Sequence, residues 1–187
     1  MTDIIARSCP AVLAFGGLAG VGKTTIARLL ACRVGPQVPA EWLSTDAVRK
    51  ELAGVPWSTR LPDSFNSREA RDAIYQEIRI RAERVLSEGR SCIWDASFSR
   101  LQQRRMVEHL ASRLGYAFVG LIFVAPIETR CIRAGNRSAN PSDADEQYIR
   151  NREKFEGLTT EELQWKVIDT SGSIGSTLNL VIGCISS

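Results

Sequence analysis

Apolar positions along this chain follow two periods. Short apolar runs recur at Ala11-Val12-Leu13-Ala14-Phe15, Trp42-Leu43-Ser44, Cys92-Ile93-Trp94, Phe118-Val119-Gly120-Leu121-Ile122-Phe123-Val124 and Val167-Ile168. They lack polar alternation, which predicts strands buried on both faces of a parallel sheet. Between them the period is helical. Ile26, Leu29, Leu30 and Val34 share a stripe of a helix that opens at Lys23 and stops at Gly35-Pro36. Ile74, Ile78, Ala82 and Val85 do the same over 67–88, and Gly89 halts that helix. A helix over 100–114 is predicted to open on a Ser99/Gln102 capping box, turn Met106, Val107, Leu110 and Leu114 inward, and end at Gly115. Another follows Pro126 to about residue 136, and a last one opens on Ser142 and Asp145 and continues to about residue 155. This alternation predicts an α/β fold, a five-stranded, mainly parallel sheet with helices on both faces. The stretches 54–66 and 135–141 read as irregular, and loops at the carboxyl ends of such strands form the ligand crevice.

The 187 residues suffice for one well-buried domain, taken here as 1–187. Hydrophobic content is 44%, yet no apolar run approaches the ~20 residues of a membrane span. A soluble cytoplasmic protein without membrane contact is therefore expected. Cys9, Cys32, Cys92, Cys131 and Cys184 are scattered singly, which argues for small apolar residues in a reducing compartment rather than for zinc or redox chemistry. The one histidine, His109, sits beside Glu108 on a helix without a paired nucleophile and reads as a surface residue. A net charge of +3 does not by itself argue for nucleic acid. Lys23, Lys50, Lys154 and Lys166 are the lysines, and every other basic side chain apart from His109 is arginine. Biased codon usage explains that excess as well as forked phosphate contacts do.

The chemistry enters at Gly17-Leu18-Ala19-Gly20-Val21-Gly22-Lys23-Thr24, a complete G-x-x-x-x-G-K-[ST] loop between a strand and a helix. Backbone N–H groups and the helix dipole face phosphates there, glycines allow close approach, and Lys23 adds a charge. Thr24 offers its hydroxyl to Mg²⁺, and Thr25 continues the binding segment.

Other residues that suit phosphoryl transfer follow the strands. Asp46 closes the second strand with Arg49 three residues on; it either orients an acceptor hydroxyl and takes its proton or caps the helix it precedes. Asp95 closes the third strand, as a Mg²⁺-supporting carboxylate would, with helix capping as the other reading. Arg133 and Arg137, at i and i+4, share a helix face, suited either to closing over nucleotide phosphates or to solvation. Thr170-Ser171-Gly172 is a polar turn that either lies against a purine base or is an ordinary loop. Trp57 and Arg60, in the irregular 54–66 stretch, are the candidate acceptor contacts alongside Asp46 and Arg49.

Taken together these residues resemble the small bacterial P-loop kinases related to nucleoside, gluconate, shikimate and polynucleotide 5′-kinases. The likeness is greatest to the zeta-toxin and polynucleotide-kinase-like branch, often grouped with AAA-family ATPases. It runs over about 12–170, on GLAGVGKTT, STDAVRKELAG, IYQEIRIRAERVLSEGRSCIWDASF, RLGYAFVGLIFVAP and NPSDADEQ. The resemblance implies a three-layer P-loop NTPase fold with strand order 2-3-1-4-5, which puts Asp95 beside the loop. It implies ATP and Mg²⁺ as cofactors, Asp46 as the activating carboxylate and Arg49 as an acceptor contact. Arg133 and Arg137 would belong to a lid, and Thr170 to Gly172 would border adenine.

An ATP-dependent kinase acting on a small-molecule hydroxyl leads among the activities. A polynucleotide 5′-kinase would need an arginine-lined groove and steep salt dependence. A regulatory ATPase would need neither acceptor base nor lid. No N-K-x-D tetrad is present, which argues against a conventional GTPase. The acceptor, the choice of monomer or homodimer, and which of Asp46 and Asp95 is the base all stay open.

Overall fold

The computed structural model describes residues 9–35, 39–136, 142–151, 157, 162 and 164–186. At its centre is β1 (Ala11–Gly16), buried along its whole length. It pairs in parallel with β3 (Cys92–Asp95) on one side and β4 (Ala117–Val124) on the other. Outside these lie β2 (Glu41–Ser44) and β5 (Trp165–Asp169), also parallel, so the sheet order is β2-β3-β1-β4-β5. The expected order 2-3-1-4-5 is found. Phe15 and Ser44 both pair with Asp95, so the carboxyl ends of β1, β2 and β3 are level at one edge.

Alternate residues of β1 feed two cores, as a strand's period of two requires. Val12 and Ala14 join Trp94, Ile78 and Val107 beneath α3 (Arg68–Ser87) and α4 (Leu101–Leu114). Leu13 and Phe15 join Ile26, Leu30 and Val181 beneath α1 (Lys23–Ala31) and α7 (Ile174–Ser186). The remaining helices, α2 (Thr45–Leu52), α5 (Ile127–Gly135) and α6 (Glu146–Asn151), belong to the edge where the strands end.

Several boundaries differ from the sequence reading. Ala27 rather than Leu29 belongs to the buried face of α1; Leu29 is 39% exposed, and Val34 is buried beyond the helix end. Helix α4 starts one residue later than a Ser99/Gln102 box would have it. The Arg100 N–H donates to Gln103 Oε1 at 3.2 Å, so Gln103 supplies the cap. In α6 the cap is Asp145 itself, accepting from the Tyr148 N–H at 2.8 Å, and 152–156 lie outside the described residues. The 54–66 stretch contains a 3₁₀ turn over Asp63–Asn66. Helix α7 was not expected at all: Gly175, Gly183 and several β-branched residues give it weak propensity, and burial of Thr177, Val181 and Ile185 sustains it.

Candidate functional site

The loop between β1 and α1 is shaped by its glycines. Gly17, Gly20 and Gly22 have φ of 127°, 88° and 94°. A Cβ at Gly20 would lie 2.6 Å from the Arg130 carbonyl oxygen, so only glycine lets the loop approach α5 this closely. Arg130, itself buried, donates from Nε to the Ala19 carbonyl at 2.8 Å. The Gly17 N–H is held by the Ser97 carbonyl at 2.9 Å. Gly22 is the N-cap position of α1, and no side chain caps it. An anion can therefore take the place of a capping side chain. Lys23 Nζ bends back to the Gly17 and Leu18 carbonyls, at 2.6 and 3.0 Å, and so stays over the loop.

Beside the loop, Thr24 Oγ1 donates to Asp95 Oδ2 at 2.7 Å, and Trp42 Nε1 donates to the same oxygen at 3.3 Å. Asp95 is 3% exposed. Burial pushes its carboxyl above the usual carboxylate range, opposed by the Lys23 charge and the Thr24 hydroxyl and reinforced by the charge of Asp46. A cation would draw this carboxyl back to its ionised form, so the oxygen pair Thr24/Asp95 suits a hard divalent ion. Among the described residues, no cluster of three or more His, Cys, Asp or Glu side chains forms a metal cage. An ion at this place would complete its shell with phosphate oxygens and water.

Asp46 is not the last residue of β2, as the sequence reading had it. The strand ends at Ser44, whose hydroxyl accepts from the Ala47 N–H at 3.4 Å and caps α2. Asp46 is thereby released from capping; it stands in the first turn of α2 and accepts from Arg49 Nη1 at 2.8 Å. Arg60 also reaches the cavity and pairs with Asp145 at 2.9 Å. Trp57 does not line it: its ring packs edge-on against Trp42, centroids 5.8 Å apart, and its carbonyl accepts from Lys50 Nζ at 2.7 Å.

On the β4/β5 side, Arg133 Nη2 donates to the Thr170 carbonyl at 2.6 Å and Nη1 to Thr170 Oγ1 at 3.2 Å. Thr170 Oγ1 also lies 2.8 Å from the Val21 carbonyl, tying the end of β5 to the loop. Thr170 and Gly172 line the cavity; Ser171 turns back to Asp169 Oδ1 instead. Arg133 is thus fixed beside the loop, not on an open helix face. Its partner in the i, i+4 reading, Arg137, lies outside the described residues.

All of this opens on one cavity of about 1120 Å³. Loop, Asp95 and Asp46 share its wall. The AAA domain model AAA_33 matches residues 12–157. The chain belongs to this AAA domain family. It is 32% identical over 164 residues to the uncharacterized protein Rv2004c of Mycobacterium tuberculosis (strain ATCC 25618 / H37Rv), covering 84% of this chain and 31% of that protein. The chain thus spans about a third of the length of that relative. Among solved structures it is similar to a gluconokinase from Sinorhizobium meliloti 1021, with TM-score 0.67 and 14% identity over 96% of this chain and 94% of that one. It is also similar to the Mycobacterium tuberculosis APS kinase CysC in complex with AMPPNP and APS, with TM-score 0.64 and 16% identity over 96% and 99%. The fold is the P-loop NTPase fold of these kinases.

Three features of the AAA_33 site had no signal in sequence. Arg130 buttresses the loop from α5. Lys50, 2% exposed, pairs with Asp143 at 2.7 Å, and Asp143 Oδ2 accepts from the Leu61 N–H at 3.2 Å. Arg71 and Arg100 line the cavity on the β2/β3 side. The first two depend on partners distant in sequence, and the third on elements that only the fold brings to one wall, so spacing alone gives no hint of them.

Proposed function

We propose that the protein is an ATP-dependent kinase that transfers the γ-phosphoryl group to a hydroxyl of a small molecule. The observation that carries this reading is Asp46: a half-buried carboxylate, free of capping duty, facing the same cavity as the Lys23/Thr24 loop. A phosphate site without an acceptor needs no such group across from it. The cavity, about 1120 Å³, is at the large end of ligand pockets, as two substrates side by side require.

In this reading the triphosphate lies on the loop amides and Lys23, and adenine runs toward Thr170 and Gly172. Thr24 and Asp95 would hold Mg²⁺, which would supply positive charge to offset that of the phosphates. Arg133, anchored on Thr170, supplies positive charge next to the loop. The acceptor oxygen bonds to the γ-phosphorus while the bond from that phosphorus to the β–γ bridging oxygen breaks and ADP leaves. Asp46 takes the hydroxyl proton, and Arg49 keeps the Asp46 carboxylate aimed at the acceptor.

Labelled ATP offered with a panel of sugars, sugar acids, sugar phosphates and nucleosides tests the proposal. At least one acceptor becomes labelled; Lys23→Ala loses both AMPPNP binding and transfer, and Asp46→Ala loses transfer while still binding AMPPNP. Undiminished transfer by Asp46→Ala would remove its assigned role, and ATP hydrolysis with no labelled acceptor would favour a regulatory ATPase.

A further inference from the structure

The cavity divides by topology. Its β4/β5 side carries Thr170, Gly172, Arg130 and Arg133, and both arginines are committed to backbone carbonyls, Ala19 and Thr170. Its β2/β3 side carries Asp46 and Arg49 on α2, Arg71 in the first turn of α3, and Arg100 just before α4. Tyr75, one turn after Arg71, connects these elements. Its hydroxyl accepts from the Phe98 N–H at 3.1 Å, two residues before Arg100, and feels the charges of Arg49 and Asp46.

Among the described residues, arginines outnumber carboxylates on this side. Elsewhere Arg79, Arg81, Arg90, Arg104, Arg113 and Arg150 each end on a glutamate. Among the described residues, Arg71 spends only Nε, on the Ser67 carbonyl at 3.3 Å, and Arg100 forms no ion pair. Arg49 pairs through Nη1 alone, and its Nε is buried without a hydrogen-bond partner. Of the carboxylates that line the cavity among the described residues, Asp95 is occupied by Thr24 and Trp42, and Asp143 by Lys50. That leaves Asp46, paired with Arg49, as the remaining described carboxylate on a wall that Arg71 and Arg100 also line.

We infer that the acceptor carries an oxyanion, a carboxylate or a phosphate ester, seated among Arg49, Arg71 and Arg100. This rests on the kinase reading above. A neutral polyol would leave the charges of Arg71 and Arg100 on the cavity wall without a counter-ion among the described residues. An oxyanion accepts forked N–H donors from more than one of them, while Asp46 stays with the reacting hydroxyl. Its position on the β2/β3 side sets it apart from the phosphates on the loop.

The test fills the nucleotide half first. With AMPPNP and Mg²⁺ saturating, inorganic phosphate, malonate and neutral glycerol are titrated calorimetrically into the full chain. Saturable binding of phosphate or malonate but not glycerol is expected; preference for phosphate indicates a phosphorylated acceptor, preference for malonate a carboxylic one. Arg71→Ala and Arg100→Ala should each weaken that binding about tenfold or more. Arg84→Ala, exposed further along α3, should leave it unchanged, and unaltered AMPPNP binding shows that each variant is folded. AMPPNP bound with no anion site, or an anion site indifferent to both substitutions, overturns this inference alone. Failure of AMPPNP to bind overturns the kinase reading and this inference with it.

Discussion

The two halves of the cavity are built from different materials. The loop half is backbone: glycines at positive φ, carbonyls that hold Lys23, and an uncapped helix start. The opposite half is long side chains delivered by α2, α3, the turn before α4 and the 54–66 stretch. Backbone geometry suits a ligand part that is always the same, because it leaves few degrees of freedom to vary. Side chains from separate elements suit a part that differs between proteins, because each is replaced without disturbing the scaffold. A conserved donor and a variable acceptor are what that division would serve.

Substitutions on either side can break or sharpen the contrast. The largest effect is expected at Asp46→Asn, a fall in kcat of about 10²- to 10⁴-fold with AMPPNP affinity held within about twofold. Equal loss of AMPPNP affinity would mean that the halves are not separable. Asp143→Ala leaves the buried Lys50 ammonium with the Trp57 carbonyl as its remaining acceptor among the described residues, and should cost about 3 kcal/mol in denaturant unfolding. The acceptor KM should rise too, since Asp143 also holds the Leu61 N–H.

Gly20→Ala tests the loop half. At φ 88° and 2.6 Å from the Arg130 carbonyl, the added methyl must displace the loop or α5. A stability loss of about 1–3 kcal/mol is expected, together with AMPPNP affinity reduced by about tenfold or more. Asp95→Asn separates metal support from stability. Because burial raises the Asp95 carboxyl, the folded chain holds this proton to higher pH than the unfolded chain does. Wild-type stability therefore falls as pH rises from the ordinary carboxylate range through the raised folded value. The Asn variant escapes that loss, so it should be the more stable protein at pH 7, with the difference closing toward pH 3 in thermal melts. Its Mg²⁺-dependent AMPPNP binding should weaken about 10- to 100-fold. The smallest effect is expected at Trp57→Ala: the ring lies off the cavity, so kcat and KM should stay within about twofold, with a stability loss below about 1 kcal/mol from the Trp42 contact.

Legibility followed the same division. The strand, loop and helix around Gly17 to Thr24 stand in contiguous sequence, and their spacing alone points to bound phosphate. Leu29 was misassigned to the core because a short helix fits two neighbouring stripes, and only the sheet beneath it chooses between them. Helix α7 escaped notice because burial, not propensity, sustains it. Asp46 was found as a residue, but the reason it is available for chemistry, capping by Ser44, needed the strand end. Arg130, Arg71 and Arg100 carried no signal, since arginines are frequent here and only contact sorts those that line a cavity from those that end on surface glutamates.

The sequence by itself determined the α/β alternation, the phosphate loop and the acids near the ends of the second and third strands. Each of these is a local pattern, governed by period, turn geometry or the order of neighbouring residues. Tertiary structure decided which side chains share the cavity, which arginines pair with a carboxylate among the described residues, and that Trp57 stands aside. Those are contacts between segments tens of residues apart, and such contacts are settled when the sheet assembles and its level carboxyl ends bring α2, α3 and the loop to one edge.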